Sequence, residues 1–203
     1  MRFDLQGADP RFAALERLLT ADGHELGADG VVIAPPGKRR GLPYYENESY
    51  AVKNAALTAE GAISLWMQRR APILGRSVLV AGYGRIGRQL AWRLDALGAH
   101  VTVAARRSDS RAEAACSGFH AVDIINIHGT YDAVFNTVPA PVLRGGFGGA
   151  LCMDLASAPG GWADETPVLF APGLPGKYAP QQAALIMRDA IYETIREDER
   201  WKN

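Results

Sequence analysis

The chain has 203 residues, and 48% of them are apolar, so it is long enough to bury a full hydrophobic core. Its 22 basic and 22 acidic side chains balance, which excludes the strong net charge that favours nucleic acid or an anionic membrane. No apolar run reaches the ~18 residues of a membrane span, and the N-terminus lacks the layout of a signal peptide. We therefore expect a cytoplasmic protein whose partner is a small molecule, with neither nucleic acid nor membrane as a ligand.

The first part of the chain is predicted to form a small α/β unit. Residues 1–7 are predicted to form a strand, and residues 10–20 carry apolar side chains at helical spacing. Residues 30–36 are predicted to form a second strand, which two prolines end.

A connecting loop is predicted at residues 37–50, which contain turn residues and show no hydrophobic periodicity. Lys38, Arg39 and Arg40 follow one another in this loop. Because three adjacent cations cannot all point into one pocket, we expect a solvated loop here rather than a binding site.

A helix is predicted from Thr58 to Arg70, because its apolar side chains crowd one broad face. Thr58 is a residue type that caps helix N-termini, so the helix is predicted to begin there. Residues 71–75 then supply a proline and a glycine that break the helix. We interpret this helix as a linker between two units.

From Ser77 onward, apolar strands alternate with helices, which predicts an α/β fold with a doubly wound parallel sheet. Strands are expected at residues 77–82, 100–104, 119–122, 131–137, 150–156 and 167–173, and helices at residues 85–97 and 180–196. Four parts are predicted. Residues 1–57 form a small, truncated N-terminal α/β unit with its loop, and residues 58–75 form a linker helix. Residues 76–178 form a Rossmann dinucleotide-binding domain, and residues 179–203 form a C-terminal helix that packs back on the first unit.

The two cysteines, Cys116 and Cys152, lie in different apolar contexts and lack the spacing of metal ligands. This pattern fits buried thiols in a reducing compartment better than a disulfide. We expect both side chains to be part of the core, and we expect no metal site.

A G-x-G-x-x-G sequence lies directly between a predicted strand and a predicted helix; its residues are Gly82, Tyr83, Gly84, Arg85, Ile86 and Gly87. The first glycine permits a tight turn, the second lets the backbone approach a pyrophosphate, and the third allows close packing of helix on strand. The helix N-terminus then faces the phosphate charge. We predict dinucleotide binding here, and the alternative is a glycine turn that serves packing alone.

The end of the next strand selects between NAD and NADP. An NAD site has Asp or Glu there for the ribose hydroxyls, whereas this chain has Ala105, Arg106, Arg107 and Ser108. Guanidinium groups pair well with a 2′-phosphate, which favours NADP(H) as the cofactor. In the alternative, one arginine stacks on adenine or faces solvent, and Asp109 binds the ribose of NAD.

Two later turns are predicted to border the nicotinamide half of the cofactor. The first contains Asn136, Thr137, Val138 and Pro139, and the second contains Asp154, Leu155 and Ala156. Both follow predicted strands, and ligands of open α/β sheets gather at the carboxyl ends of strands. The alternative is ordinary turn chemistry, since Asn, Pro and Asp are common in loops.

Several stretches in a fixed order carry a family resemblance: TAEG from Thr58, GYGRIGRQLA, LGAHVTVAARRS, NTVPAPVL, MDLASAPGG and LFAPGLPG. From about Asn54 to Ile195 the chain resembles the family of the dipicolinate synthase A subunit, within the Rossmann dehydrogenases related to the D-2-hydroxy acid enzymes. It departs from the family in two places. The region before the linker helix is much shorter than the family's N-terminal domain, and Gln181 and Gln182 stand where a Lys-Thr pair is expected.

The resemblance implies an NADP- or NAD-dependent oxidoreductase. The implied reaction oxidises a cyclic dihydro- or tetrahydropyridine dicarboxylate to the aromatic dipicolinate, and the nicotinamide cofactor accepts the hydride. The resemblance also implies a role in endospore formation, together with a flavoprotein-like second subunit.

The histidines argue against a simple 2-hydroxy acid dehydrogenase. Such an enzyme needs a general base, usually a histidine late in the Rossmann domain. All four histidines, His24, His100, His120 and His128, precede the NTVP turn. A substrate ring that becomes aromatic supplies its own driving force, so positioning at the cofactor is expected to do most of the work.

Thr58, Glu60 and Lys177 are the candidate catalytic residues, because a dicarboxylate needs cations or N–H groups. The predicted helix start at Thr58 offers free N–H groups, and Lys177 follows the APGLPG turn. Glu60 either caps that helix or binds a ring N–H. Lys177 is either a substrate contact or a solvated surface lysine.

Three functions are compatible with the sequence. The first is a catalytic NADP-dependent subunit of the dipicolinate synthase type. The second is a nucleotide-binding or assembly subunit without catalysis, and the third is an enzyme of the same architecture that acts on another cyclic imine or acid. The apolar faces of the linker and C-terminal helices are compatible with a homodimer.

Overall fold

A computed structural model of the protein describes residues 1–36, 41–70, 72–198 and 201. Lys38, Arg39 and Arg40 of the predicted loop lie outside the described residues. The chain forms two compact units, one of residues 1–57 with 174–203, and the other of residues 58–173. In the part of the chain that is described, no helix is both long enough and apolar enough to cross a membrane.

Strands and helices alternate along most of the chain. The helices are α1 (Pro10–Ala21), α2 (Glu48–Arg70), α3 (Arg85–Ala96), α4 (Ser108–Cys116), α5 (Leu174–Tyr178) and α6 (Pro180–Glu197). The strands are β1 (Arg2–Leu5), β2 (Glu25–Leu26), β3 (Val31–Ile33), β4 (Ser77–Ala81), β5 (His100–Ala104), β6 (His120–Val122), β7 (Ala133–Asn136), β8 (Leu151–Asp154) and β9 (Leu169–Phe170).

The first unit contains a small parallel sheet in the order β2-β1-β3. The short strand β2 adds to the strand, helix and strand predicted there. α1 begins at Asp9, whose carboxylate accepts the N–H of Arg11, and Pro10 suits the first helical position. α1 and α6 pack on one another around a shared core that includes Leu15, Leu19 and Met187.

The helix predicted at Thr58 begins earlier, at Glu48. The side chain of Asn47 accepts the backbone N–H of Tyr50 at 2.9 Å, which is the hydrogen bond of a helix N-cap. Thr58 therefore lies inside α2, and its prediction as the N-cap was wrong. The free N–H groups expected beside it do not exist there, because N–H groups inside a helix bond to the preceding turn.

The second unit is built on a parallel sheet in the order β6-β5-β4-β7-β8-β9. When β4 is counted as the first strand, this is the 3-2-1-4-5-6 order of the Rossmann fold. The predicted fold class, a doubly wound parallel sheet, is confirmed. The order reverses between β4 and β7, and such a switch point forms a crevice at the carboxyl ends of the strands.

Apolar layers cover both faces of this sheet. Alternate strand residues, among them Leu79 and Val134, are buried in a cluster on one face. The next residue along β7, Phe135, points to the opposite face, where its ring lies 5.8 Å from that of Trp66 in α2. This packing fixes the strand ends that form the crevice.

Two further features of the second unit differ from the sequence-based expectations. α4 was not predicted, because its sequence carries few apolar residues and buries only Ala114 among its described side chains.

Cys116, expected in the core, is exposed at the end of α4, so that expectation was wrong. Cys152 is buried as expected, and burial together with the nearby Asp164 raises the pKa of its thiol.

The unit boundaries also differ from the predicted ones. Residues 174–178, assigned to the Rossmann domain from the sequence, form α5 in the first unit. The boundary between the units falls inside α2 rather than at its start.

Candidate functional site

A cavity of about 550 Å³ opens in the second unit at the carboxyl ends of its central strands. This volume is within the range of small-molecule and cofactor sites. Its wall is formed by the segments that follow β4, β5, β6 and β7 and by side chains of α3 and α4. The lining residues are Gly82, Tyr83, Gly84, Arg88, Ala105, Arg106, Arg107, Asp109, Ser110, Glu113, Ile124, Thr137, Val138, Pro139, Ala140 and Val142. The cavity therefore coincides with the crevice that the strand order creates.

The glycines of the motif have three different environments. Gly82 has a φ of +96°, and a Cβ on it would collide with the hydroxyl of Thr137. A Cβ on Gly87 would collide with the carbonyl oxygen of Gly82, so α3 can approach the turn only with glycine there. Around Gly84 no heavy atom lies within 4 Å of where a Cβ would be, so its backbone faces open space. That space is where the motif would admit a pyrophosphate.

Gly84 is also the N-cap of α3, and because it has no side chain it makes no capping hydrogen bond to that helix. Arg85, Ile86 and Gly87 occupy the first turn, and their N–H groups point along the axis toward the N-terminus. Gly84 lines the cavity, so these donors and the positive end of the helix dipole begin at its wall. An anion at this position would be stabilised.

The two arginines after β5 differ in their partners. The Arg107 guanidinium donates to the carboxylate of Asp109 through both Nε and Nη2. This bond, with the N–H of Ser110, lowers the pKa of Asp109 to about 2. Arg106 is exposed at the cavity wall, and within the described residues its guanidinium has no ion-pair partner. Arg106 is thus the cation that remains available to a ligand.

The turn after β7 contributes Thr137, Val138 and Pro139 to the cavity wall. The Thr137 hydroxyl donates to the carbonyl of Ala81 at 2.8 Å, which holds this turn against the end of β4. Asn136 is fully buried beneath it, where its Nδ2 donates to the carbonyl of Val138 and its Oδ1 accepts the N–H of Val138.

Asp154 completes this buried hydrogen-bond network. Its Oδ1 accepts from Asn136 Nδ2 at 2.8 Å and from the N–H of Ala156, and its Oδ2 accepts the N–H of Gly161 at 2.8 Å. Several donors thus compensate the burial of the carboxylate. The described residues that line the cavity do not include Asn136, Asp154, Leu155 or Ala156. Asn136 and Asp154 make the hydrogen bonds of turn-forming residues and support the wall from below.

Sequence reasoning missed six residues of the cavity wall: Arg88, Ser110, Glu113, Ile124, Ala140 and Val142. Arg88 could have been found, because in the predicted helix it lies four residues, about one turn, after Gly84. Ser110 and Glu113 belong to α4, which the sequence did not predict.

The candidate catalytic residues have unequal environments. Thr58 is buried within α2, and Glu60 forms an ion pair with Arg93 at 3.3 Å. Because no helix begins at Thr58, the alternative in which Glu60 caps that helix is wrong. Lys177 is an exposed residue of α5. Thr58 and Glu60 belong to the second unit and Lys177 to the first.

Comparison with known proteins agrees with this geometry. Residues 54–142 match the family model of the D-isomer specific 2-hydroxyacid dehydrogenase, NAD binding domain. Over 180 residues the chain is 34% identical to the dipicolinate synthase A subunit of Bacillus subtilis (strain 168), a match that covers 81% of this chain and 61% of that protein. The predicted resemblance to the dipicolinate synthase family is confirmed. The chain spans about 61% of the length of this curated relative.

Solved structures show the same fold. The crystal structure of dipicolinate synthase, A chain, from Bacillus subtilis aligns with a TM-score of 0.82 at 22% identity, over 97% of this chain and 96% of that chain. The crystal structure of the dipicolinate synthase A subunit from Bacillus halodurans aligns with a TM-score of 0.69 at 28% identity, over 97% of this chain and 67% of that chain. The second unit therefore has a Rossmann-type fold, and the family model matched by residues 54–142 is that of an NAD-binding domain.

A Cβ placed on Gly84 tests whether the open space beside it receives a dinucleotide. We expect Gly84→Ala to weaken dinucleotide binding by roughly tenfold or more, which corresponds to about 1.4 kcal/mol. The variant should remain folded, with a stability loss of about 1 kcal/mol or less from replacing glycine at an N-cap. Calorimetric titration measures the affinity, and circular dichroism measures the fold.

Gly146→Ala is the matched control, since no heavy atom lies within 4 Å of its Cβ position and it lies outside the cavity wall. It should bind the dinucleotide as the unmodified protein does. Equal affinities of the Gly84→Ala and Gly146→Ala proteins would show that the open space is not the binding position.

Proposed function

We propose that the protein is an NADP(H)-dependent oxidoreductase of the same type as the dipicolinate synthase A subunit. The observation that carries the proposal is the cavity at the carboxyl ends of β4, β5 and β7, which combines an open glycine turn with the available cation Arg106. The glycine turn suits a dinucleotide, and the Arg106 cation suits the 2′-phosphate that distinguishes NADP from NAD.

The residues present fit a nicotinamide dinucleotide. We assign the pyrophosphate to the backbone of Gly82 to Gly84 and to the first N–H groups of α3, at Arg85 and Ile86. We assign the nicotinamide half to the wall formed by Thr137, Val138 and Pro139. When bound, the cofactor supplies the group that exchanges a hydride with the substrate.

The hydrogen bonds of Asp109 support NADP over NAD. An NAD site uses a free carboxylate for the ribose hydroxyls. Here both oxygens of Asp109 accept from Arg107, and Oδ1 also accepts the N–H of Ser110. Binding a ribose through this carboxylate would require these bonds to break, whereas a 2′-phosphate can approach Arg106 without that cost.

The substrate we propose is a cyclic dihydro- or tetrahydropyridine dicarboxylate, the class that the resemblance implies. Among the described residues that line the cavity there is no histidine to serve as the general base of an alcohol dehydrogenase. A ring N–H that leaves during aromatisation can pass its proton to water, so the chain's main task is to bind and orient the ring.

Lys177 is the cation we propose for a carboxylate of this substrate. It is exposed on α5, directly after the buried residues Leu174, Pro175 and Gly176 of this short helix. Thr58 no longer qualifies through a helix N-terminus, because α2 begins at Glu48. The Bacillus subtilis relative is named as one subunit of its enzyme, and we therefore also propose a second subunit, flavoprotein-like as the resemblance implies.

Replacing Arg106 tests the choice of cofactor. We expect Arg106→Ala to weaken NADPH binding by roughly tenfold or more, because it removes a charge-assisted hydrogen bond to the 2′-phosphate. NADH lacks this phosphate, so its affinity should change by less than about twofold. Calorimetric titration of both nucleotides measures the ratio of their affinities.

Arg144→Ala is the control, since Arg144 is an exposed arginine of the same unit outside the cavity wall. It should leave both affinities unchanged. If Arg106→Ala keeps the ratio of NADPH to NADH affinity, the assignment of Arg106 to the 2′-phosphate is wrong.

Turnover of the full chain tests the oxidoreductase assignment. With NADP⁺ and a cyclic dihydropyridine dicarboxylate, we expect NADPH absorbance to appear, and we expect Lys177→Ala to raise KM by roughly tenfold. Lys53→Ala removes an exposed lysine of α2 and should leave KM unchanged. Equal KM values for the two variants contradict the role of Lys177. Tight NADP⁺ binding without turnover supports the nucleotide-binding subunit instead.

A further inference from the structure

Two carboxylates of α4 face the cavity. Asp109 and Glu113 are four residues apart, so they lie on one side of the helix, and both line the cavity wall. The proposed 2′-phosphate site at Arg106 lies on the same wall. Left uncompensated, these carboxylates would repel a phosphate dianion there.

Each carboxylate is paired with an arginine. Asp109 binds Arg107, and Glu113 binds Arg88 with 2.6 Å between Oε2 and Nη2. Arg88 belongs to α3, so this second ion pair joins the helix after the glycine turn to α4. Within each ion pair the two charges cancel. Arg106 therefore supplies the remaining positive charge among the described side chains of the wall.

Arg88 is held in a defined position by three contacts. Its Nε donates to the carbonyl of Tyr83 at 3.2 Å, and its guanidinium lies 5.5 Å from the centroid of the Tyr83 ring. Its Nη2 is then directed to Glu113. Tyr83 is buried and part of the glycine turn, so the cation is fixed relative to the cofactor cavity.

The pair contributes little to folding. The side chains of Arg88 and Glu113 are 50% and 46% exposed, and ion pairs this exposed add little to stability. Its electrostatic effect acts on whatever charged group enters the cavity beside it.

We propose that Arg88 determines cofactor selectivity by neutralising Glu113. It thereby lowers the repulsion between α4 and the 2′-phosphate of NADP(H), while Arg106 makes the direct contact. This inference rests on the proposed function, because it concerns the same cofactor site. Arg88 is a positioning and charge-balancing residue here, and it does not itself bind the phosphate.

A double-mutant cycle tests the inference by titrating the full chain with NADPH and NADH. Arg88→Met keeps the apolar stem over Tyr83 but exposes the charge of Glu113, so NADPH affinity should fall by roughly threefold to tenfold. NADH affinity should stay unchanged, which a general disruption of the cavity would not allow. The loss for NADPH should shrink as salt is raised, because the repulsion is screened.

Glu113→Gln should leave NADPH binding as tight as in the unmodified protein or make it tighter. The double variant Arg88→Met with Glu113→Gln should restore NADPH affinity to within about twofold, because no carboxylate remains to be neutralised. Arg88→Lys, which keeps the charge, should retain at least part of the selectivity. If the double variant stays as weak as Arg88→Met, Arg88 contacts the phosphate directly and the shielding proposal is overturned.

The outcomes also separate this inference from the proposed function. If the unmodified protein prefers NADPH and Arg88→Met changes neither affinity, the inference fails while the proposed function stands. If the unmodified protein shows no preference for NADPH, the proposed cofactor assignment fails and the inference fails with it.

Discussion

The close contact between the first turn of α3 and the turn after β4 is the constraint on which the cavity depends. Gly87 has no space for a Cβ against the carbonyl of Gly82, and Gly82 has none against the hydroxyl of Thr137. These contacts bring the N-terminus of α3 and the turn after β7 to one point. The open side of Gly84 is what remains between them, and it faces the cavity.

A buried polar network holds the other side of the cavity in the matching position. Asn136 and Asp154 link the ends of β7 and β8 through hydrogen bonds that use both side chains. Thr137, the next residue after Asn136, thereby reaches both Gly82 and the carbonyl of Ala81. The glycine turn and the buried network are therefore parts of one arrangement, although only the first contributes residues directly to the described cavity wall.

Sequence reasoning succeeded where the physical signal is local and strong. The apolar strands and the G-x-G-x-x-G sequence predicted the Rossmann fold, which is confirmed, and the cavity opens at the predicted turn. It failed where the hydrophobic pattern in the sequence is weak. The start of α2 at Glu48 depends on a cap by Asn47 within a segment that lacks periodicity, and α4 has too few apolar residues to be seen. Missing α4 also hid Glu113 and the exposure of Cys116.

The proposed function depends on a dinucleotide site whose remaining positive charge binds the 2′-phosphate. The most direct measurement is calorimetric titration of the unmodified protein with NADPH and NADH at low and high salt. We predict that both bind, that NADPH binds more tightly, and that its advantage falls as salt rises, because an exposed guanidinium supplies the difference. Equal affinities at low salt, or no binding of either nucleotide, would contradict the proposal.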